Sequence, residues 1–152
     1  MRVTAERGRL SGIFELSPEH MQIDLTNGPT APGVARRAVA VWASEMLDVE
    51  NLRSVILMVS ELVSNAVKFT SGHISLSVWR CEPARWRVEV TDESALLPLV
   101  STDIGTLRGG RGLGLQLVDS LSYMWGTIAR PGGKCVWFEL RNWNRVSAPG
   151  IR

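Results

Sequence analysis

The fold is decided by the stretch Glu61-Leu62-Val63-Ser64-Asn65-Ala66-Val67-Lys68-Phe69-Thr70, which closes an apolar run of helical length. Residues four apart on a helix stack on one face, so Glu61 and Asn65 point the same way, with Lys68 three positions further along. This polar trio could hold a metal and a phosphate, or it could be a solvated helix face. The other side of the helix is apolar and predicts a core face, made of Leu52, Val55, Val59, Leu62 and Ala66.

The composition indicates a single globular domain. The 152 residues are 45% hydrophobic and 21% charged, and the net charge of +2 is too small to argue for nucleic-acid binding. No apolar run approaches the roughly 20 residues of a membrane span, and the N-terminus does not resemble a signal peptide. Cys81 and Cys135 lack the spacing of a metal site or of a disulfide framework. We therefore expect a cytoplasmic protein with reduced cysteines.

Hydrophobic periodicity predicts the order of the elements. Alternation predicts strands over 13–16, 21–25, 74–79, 86–92, 125–129 and 135–140, and helical spacing predicts helices over 33–47, 50–69 and 112–124. The first helix is expected to bury Val34, Ala38, Val41, Trp42 and Met46. Residues 1–12 and 142–152 are expected to be flexible tails around one domain of residues 13–141. Runs of adjacent strands predict an α+β two-layer sandwich, with a mixed, mostly antiparallel sheet and three helices on one face.

A long connection and a glycine-rich segment precede the third helix. Residues 93–110 show no periodicity, and such long loops in compact domains are often lids or binding loops. The segment Gly109-Gly110-Arg111-Gly112-Leu113-Gly114 then opens the helix. Backbone amides at a helix start suit a phosphate, although glycines there also serve as turn residues. A Rossmann loop is excluded because no strand precedes these glycines, and no Walker-type loop is present.

Asp92 ends a predicted strand where the long connection begins. Its carboxylate could accept a hydrogen bond from an exocyclic amine such as that of adenine. The more common role of an aspartate in this position is to cap a turn.

Together, these motifs resemble the GHKL ATPase superfamily, and within it the small serine-kinase, anti-sigma-factor type of bacterial regulator. The resemblance rests on Glu61-x-x-x-Asn65, on the strand ending at Asp92, on Gly110-x-Gly112-x-Gly114 and on the terminal hairpin, in the family's order. It covers residues 13–141 and implies a Bergerat-type sandwich that binds ATP and magnesium under a lid.

The resemblance also implies roles for individual residues. Asn65 would coordinate magnesium, Glu61 would be the catalytic base, and Asp92 would bind the adenine amino group. Lys68 matches a position that touches phosphate in related kinases. The remaining nucleotide-binding positions are Gly110, Arg111, Gly112, Leu113, Gly114 and Cys135. This chain departs from the family pattern at Ser94, where the wider superfamily has glycine, and at Cys135, where threonine is usual.

The implied function is that of an ATP-dependent serine/threonine protein kinase that regulates transcription. It would sequester a sigma factor and phosphorylate an anti-sigma antagonist of the STAS type, with no direct contact to nucleic acid or membrane, and it could form a homodimer. Two alternatives stay open. One is a regulatory module of the same fold that acts by contact without chemistry, and the other is an ATPase subunit of a larger signalling assembly.

Overall fold

The computed structural model of the protein describes residues 2–4, 13–17, 19–95 and 113–141, with side-chain surroundings for 19–95 and 114–141. The described chain contains three helices and seven strands. The helices are α1 (Ala31–Ala43), α2 (Val49–Phe69) and α3 (Leu113–Leu121). The strands are β1 (Arg2–Thr4), β2 (Ile13–Ser17), β3 (His20–Leu25), β4 (Ile74–Glu82), β5 (Arg85–Asp92), β6 (Met124–Arg130) and β7 (Gly133–Arg141).

The strands form one sheet in the order β1-β2-β3-β4-β5-β7-β6, and each pairing among the described residues is antiparallel. The helices pack on one face of this sheet, which confirms the predicted α+β sandwich. β4 and β5 bury alternate residues because the inward side of the pleat faces the helices. No helix in the described ranges is long and apolar enough to cross a membrane.

α2 is the central helix of the helical layer and confirms the prediction made from its sequence. Asp48 caps it, because the side chain accepts a hydrogen bond from the backbone N–H of Asn51 at 2.8 Å. Its predicted apolar stripe is buried or packed against the core throughout. α2 contacts both other helices as well as β4 and β5, so residues on its polar side lie at a fixed place relative to the sheet.

Two expectations need correction. Arg2–Thr4 pairs with Ile13–Ser17 as an edge strand instead of forming part of a tail; three residues are too few for their alternation to stand out. Val41 is 74% exposed, because α1 turns a stripe centred on Ala35, Ala38 and Val39 toward the core. Residues 5–12 and 142–152 of the predicted tails lie outside the described residues.

Candidate functional site

The polar side of α2 carries the residues that the sequence singled out. Glu61 and Asn65 are one turn apart and both half-buried, whereas Lys68 is exposed near the end of the helix. The Nζ of Lys68 lies 5.6 Å from the centre of the Phe69 ring. A carboxylate and a carboxamide therefore share one face of a helix whose opposite face is anchored in the core.

The start of α3 lies against this face of α2. A Cβ atom built on Gly114 would stand 2.5 Å from Oε2 and 3.2 Å from Cβ of Glu61. Gly114 is itself buried. Only a residue without a side chain lets the two helices approach this closely. The structure therefore brings Glu61 together with the N-terminal turn of α3, the end at which a helix dipole favours negative charge.

Asp92 ends β5 on the inward face of the sheet and is 3% exposed. Its Oδ1 accepts a hydrogen bond from the backbone N–H of Ser94 at 2.7 Å, so the turn-capping role is present. Both carboxylate oxygens also accept hydrogen bonds from Lys134 Nζ, at 2.9 Å for Oδ1 and 2.8 Å for Oδ2. The carboxylate thus forms a buried ion pair with the neighbouring strand.

Lys134 is the residue of this site that sequence reasoning missed. It pairs directly with Asp92 in the β5–β7 register, and its side chain is buried. The alternation of β7 indicates that the Lys134 side chain is buried, because Lys134 continues the inward-facing series of Val136, Phe138 and Leu140. A lysine on the buried side of a strand requires an anionic partner.

The side chain of Cys135 does not reach the carboxylate of Asp92, although the resemblance implies that Cys135 is a nucleotide-binding residue. It is the neighbour of Lys134 in β7 and pairs with Thr91, so strand alternation turns its side chain to the opposite face of the sheet. Burial, with the negative charge of Glu89 as a further cause, raises the pKa of the Cys135 thiol to about 11. Cys135 is therefore a protonated packing residue on the outer face.

Part of the predicted site lies outside the described residues. This applies to Gly110, Arg111 and Gly112 and to the predicted lid from residue 96 onward. Leu113 begins α3, and nothing about its side chain is described. The described candidate residues therefore form two groups: Glu61, Asn65, Lys68 and Gly114 on α2 and α3, and Asp92 and Lys134 on β5 and β7.

The donor set of this site fits magnesium only if a ligand supplies further oxygens. The described residues contain no group of three or more His, Cys, Asp and Glu side chains that could hold a metal ion. Magnesium prefers oxygen ligands and is usually bound through one or two protein groups together with substrate phosphates and water. The half-buried carboxamide of Asn65, beside the carboxylate of Glu61, can supply one such oxygen.

Comparisons with known proteins give a family and a related fold. The family model described as "Histidine kinase-, DNA gyrase B-, and HSP90-like ATPase" matches residues 50–144, more than half of the chain. None of the curated proteins matches. Among solved structures, the chain is similar to the crystal structure of the RsbU and RsbW domains of Rv1364c from Mycobacterium tuberculosis, with a TM-score of 0.62 and 19% sequence identity. That similarity covers 80% of this chain and 32% of the other, and it concerns the fold alone.

Proposed function

The chain belongs to the histidine kinase-, DNA gyrase B- and HSP90-like ATPases, and we propose that it is an ATP-binding serine/threonine protein kinase of the anti-sigma type. It would bind ATP with magnesium, sequester a sigma factor and phosphorylate an anti-sigma antagonist. The observation that carries the proposal is the contact between Glu61 and Gly114, because it gives a carboxylate and a helix N-terminus a common site.

The proposed nucleotide contacts follow the chemistry of each group. Asn65 would give magnesium one oxygen ligand, and the bound ion would neutralise charge on the phosphates. Lys68, exposed at the end of α2, would contribute a further positive charge toward the phosphates. The backbone amides around Gly114 would donate to phosphate oxygens. Asp92 would accept a hydrogen bond from the exocyclic amine of adenine.

In the proposed transfer, Glu61 acts on the acceptor hydroxyl. The serine oxygen attacks the γ-phosphorus, the bond between that phosphorus and the β–γ bridging oxygen breaks, and ADP leaves with the bond's electron pair. Glu61 takes the proton of the serine hydroxyl. The position of Glu61 on α2, beside the first turn of α3, suits this role, because phosphoryl transfer depends chiefly on positioning and charge neutralisation.

One observation favours the second candidate, a regulatory module of the same fold that acts by contact without chemistry. The carboxylate of Asp92 is already partnered by Lys134, with both oxygens accepting hydrogen bonds. A protein whose Asp92 carboxylate is not free to bind adenine could still inhibit a partner protein by binding it. The two candidates differ in whether phosphate is transferred.

The experiment is a transfer assay with ATP labelled on its γ-phosphate, magnesium and purified STAS-type antagonists. The kinase proposal predicts label on an antagonist serine, and no label after that serine is replaced by alanine. Glu61→Ala should transfer about 10² to 10⁴ times more slowly, as expected for loss of a general base. Glu45→Ala, which removes an exposed carboxylate outside the site, should transfer at the wild-type rate. ATP binding without transfer to any antagonist would instead support the contact module.

A further inference from the structure

The Asp92–Lys134 pair lies where the proposed function needs an unoccupied acceptor. The two side chains are 2% and 6% exposed, so neither charge is screened by solvent. An isolated buried charge is strongly unfavourable, and a buried carboxylate therefore requires a partner. Lys134 is that partner in this structure.

The contact between Lys134 and Asp92 follows from the pairing of β5 with β7. Asp92 and Lys134 are direct register partners on β5 and β7, and their side chains lie on the same, inward face. Gly133 precedes Lys134, and a Cβ atom on it would collide with the backbone carbonyl oxygen of Asp92. The backbones of β5 and β7 are therefore in close contact where the pair forms.

We infer that Lys134 competes with adenine for the carboxylate of Asp92. Its ammonium group occupies this carboxylate and lowers the affinity for adenine nucleotides. This rests on the proposed function, in which Asp92 accepts from the adenine amine. A hydrogen bond between two charged groups is shorter and stronger than one from a neutral amine to a carboxylate. Adenine must therefore displace Lys134 or share a carboxylate whose charge is already neutralised.

Lys134 consequently determines how strongly this site prefers adenine over guanine. With the ammonium removed, Asp92 keeps the hydrogen bond from the Ser94 amide, and an incoming adenine amine compensates its buried negative charge. The gain should be specific to adenine, because guanine presents a carbonyl oxygen in place of the amine. A purely structural ion pair would not produce such a base-specific gain.

The test measures binding of ATP and GTP by calorimetry for the wild type, Lys134→Ala and Lys134→Met. Lys134→Ala should bind ATP about tenfold or more tightly than the wild type, with no matching gain for GTP. Lys134→Met should gain less, because its side chain still fills the space. Arg53→Ala, which removes an exposed positive charge on α2, should leave ATP affinity unchanged. The gain should disappear in Asp92→Leu/Lys134→Ala, since leucine offers no hydrogen-bond acceptor.

The outcomes distinguish failure of the inference about Lys134 from failure of the proposed function on which it rests. Equal ATP affinity in the wild type and Lys134→Ala, or an equal gain for ATP and GTP, contradicts the inference and leaves the proposed function standing. No ATP binding by either protein contradicts the proposed function and the inference with it. Circular dichroism checks that the variants fold. If Lys134→Ala does not fold, nitrogen NMR of the wild-type lysine ammonium groups decides: ATP should shift the Lys134 signal, and an unshifted signal with ATP bound overturns the inference.

Discussion

The first turn of α3 approaches α2 so closely that a methyl group on Gly114 would stand 2.5 Å from Oε2 of Glu61. A methyl group at position 114 would therefore push the Glu61 carboxylate out of its present position. Gly114 thus has a structural role besides the phosphate contact that we propose for it.

Gly114→Ala should displace the Glu61 carboxylate and slow phosphate transfer, because the added methyl group meets its Oε2 at 2.5 Å. The stability of the fold should change little, because the tight 3.2 Å contact with Cβ of Glu61 is offset by the higher helix propensity of alanine, about 1 kcal/mol. Gly33→Ala is the matched control in the first turn of α1, where an added Cβ would meet only arginine side chains at 3.6 and 3.7 Å. Transfer rates and urea unfolding of both variants test this prediction. A Gly114→Ala protein with the wild-type rate would contradict the proposed position of Glu61.

The Asp92–Lys134 pair should show a large coupling energy in a double-mutant cycle. Lys134→Met alone should destabilise the protein by about 3–5 kcal/mol, because it leaves a buried charge without its partner. The double variant Asp92→Leu/Lys134→Met should be more stable than Lys134→Met, since no charge remains buried. Glu19→Gln breaks an ion pair with Arg80 whose side chains are 68% and 37% exposed, and it should cost less than about 1 kcal/mol. Additive effects of the two buried substitutions in urea unfolding would contradict the pairing.

Much of the fold could be predicted because its signals are local. The apolar stripe of α2 and the alternation of β4 and β5 follow from helical and strand periodicity, and Asp48 stands where a helix cap is expected. The end of β5 at Asp92 follows in the same way. These features need no knowledge of which elements meet.

The rest depends on which elements meet in space. Lys134 becomes part of the site only through the β5–β7 register, which places it opposite Asp92 and turns Cys135 to the other face. The local sequence of β7 does not fix that register. The approach of Gly114 to Glu61 likewise depends on how α3 packs against α2. The short strand Arg2–Thr4 is recognisable only by its pairing with β2.

Asp92→Asn should abolish any preference for adenine over guanine nucleotides. Lys134 can still donate to the single carboxamide oxygen, which leaves the NH2 group, a donor, where the adenine amine requires an acceptor. Competition between ATP and GTP for the wild-type and variant proteins measures the preference. An unchanged preference in a folded Asp92→Asn protein would show that another group reads the base.

The two cysteines should differ sharply in reactivity. Cys81 is exposed, whereas Cys135 is buried with its pKa raised to about 11. A chromogenic disulfide reagent at neutral pH should therefore modify only Cys81 until the protein unfolds. Complete reaction of both thiols in the folded protein would contradict the burial of Cys135.

The same thiol should make stability depend on pH. The unfolded chain releases the Cys135 proton near the ordinary thiol pKa of 9.0, while the folded state raises this pKa to about 11. Between these values the folded state binds more protons, so the stabilisation is complete below pH 9 and is lost as pH rises toward 11. Urea unfolding should show this loss in the wild type and a weaker loss in Cys135→Ala. Identical pH dependence in the two proteins would contradict the raised pKa.

Calorimetric titration with ATP, with and without magnesium, tests most directly whether the α2–α3 site is a nucleotide site. We expect the wild type to bind ATP more tightly when magnesium is present, and Asn65→Ala to lose this magnesium-dependent gain. Ser64→Ala, the exposed neighbour on the same helix, should retain it, and Glu61→Ala should bind nearly as well as the wild type. The assignment of a nucleotide site to α2 and α3 would be contradicted if the folded wild-type protein did not bind ATP at millimolar concentrations. An undiminished magnesium effect in Asn65→Ala would also contradict it.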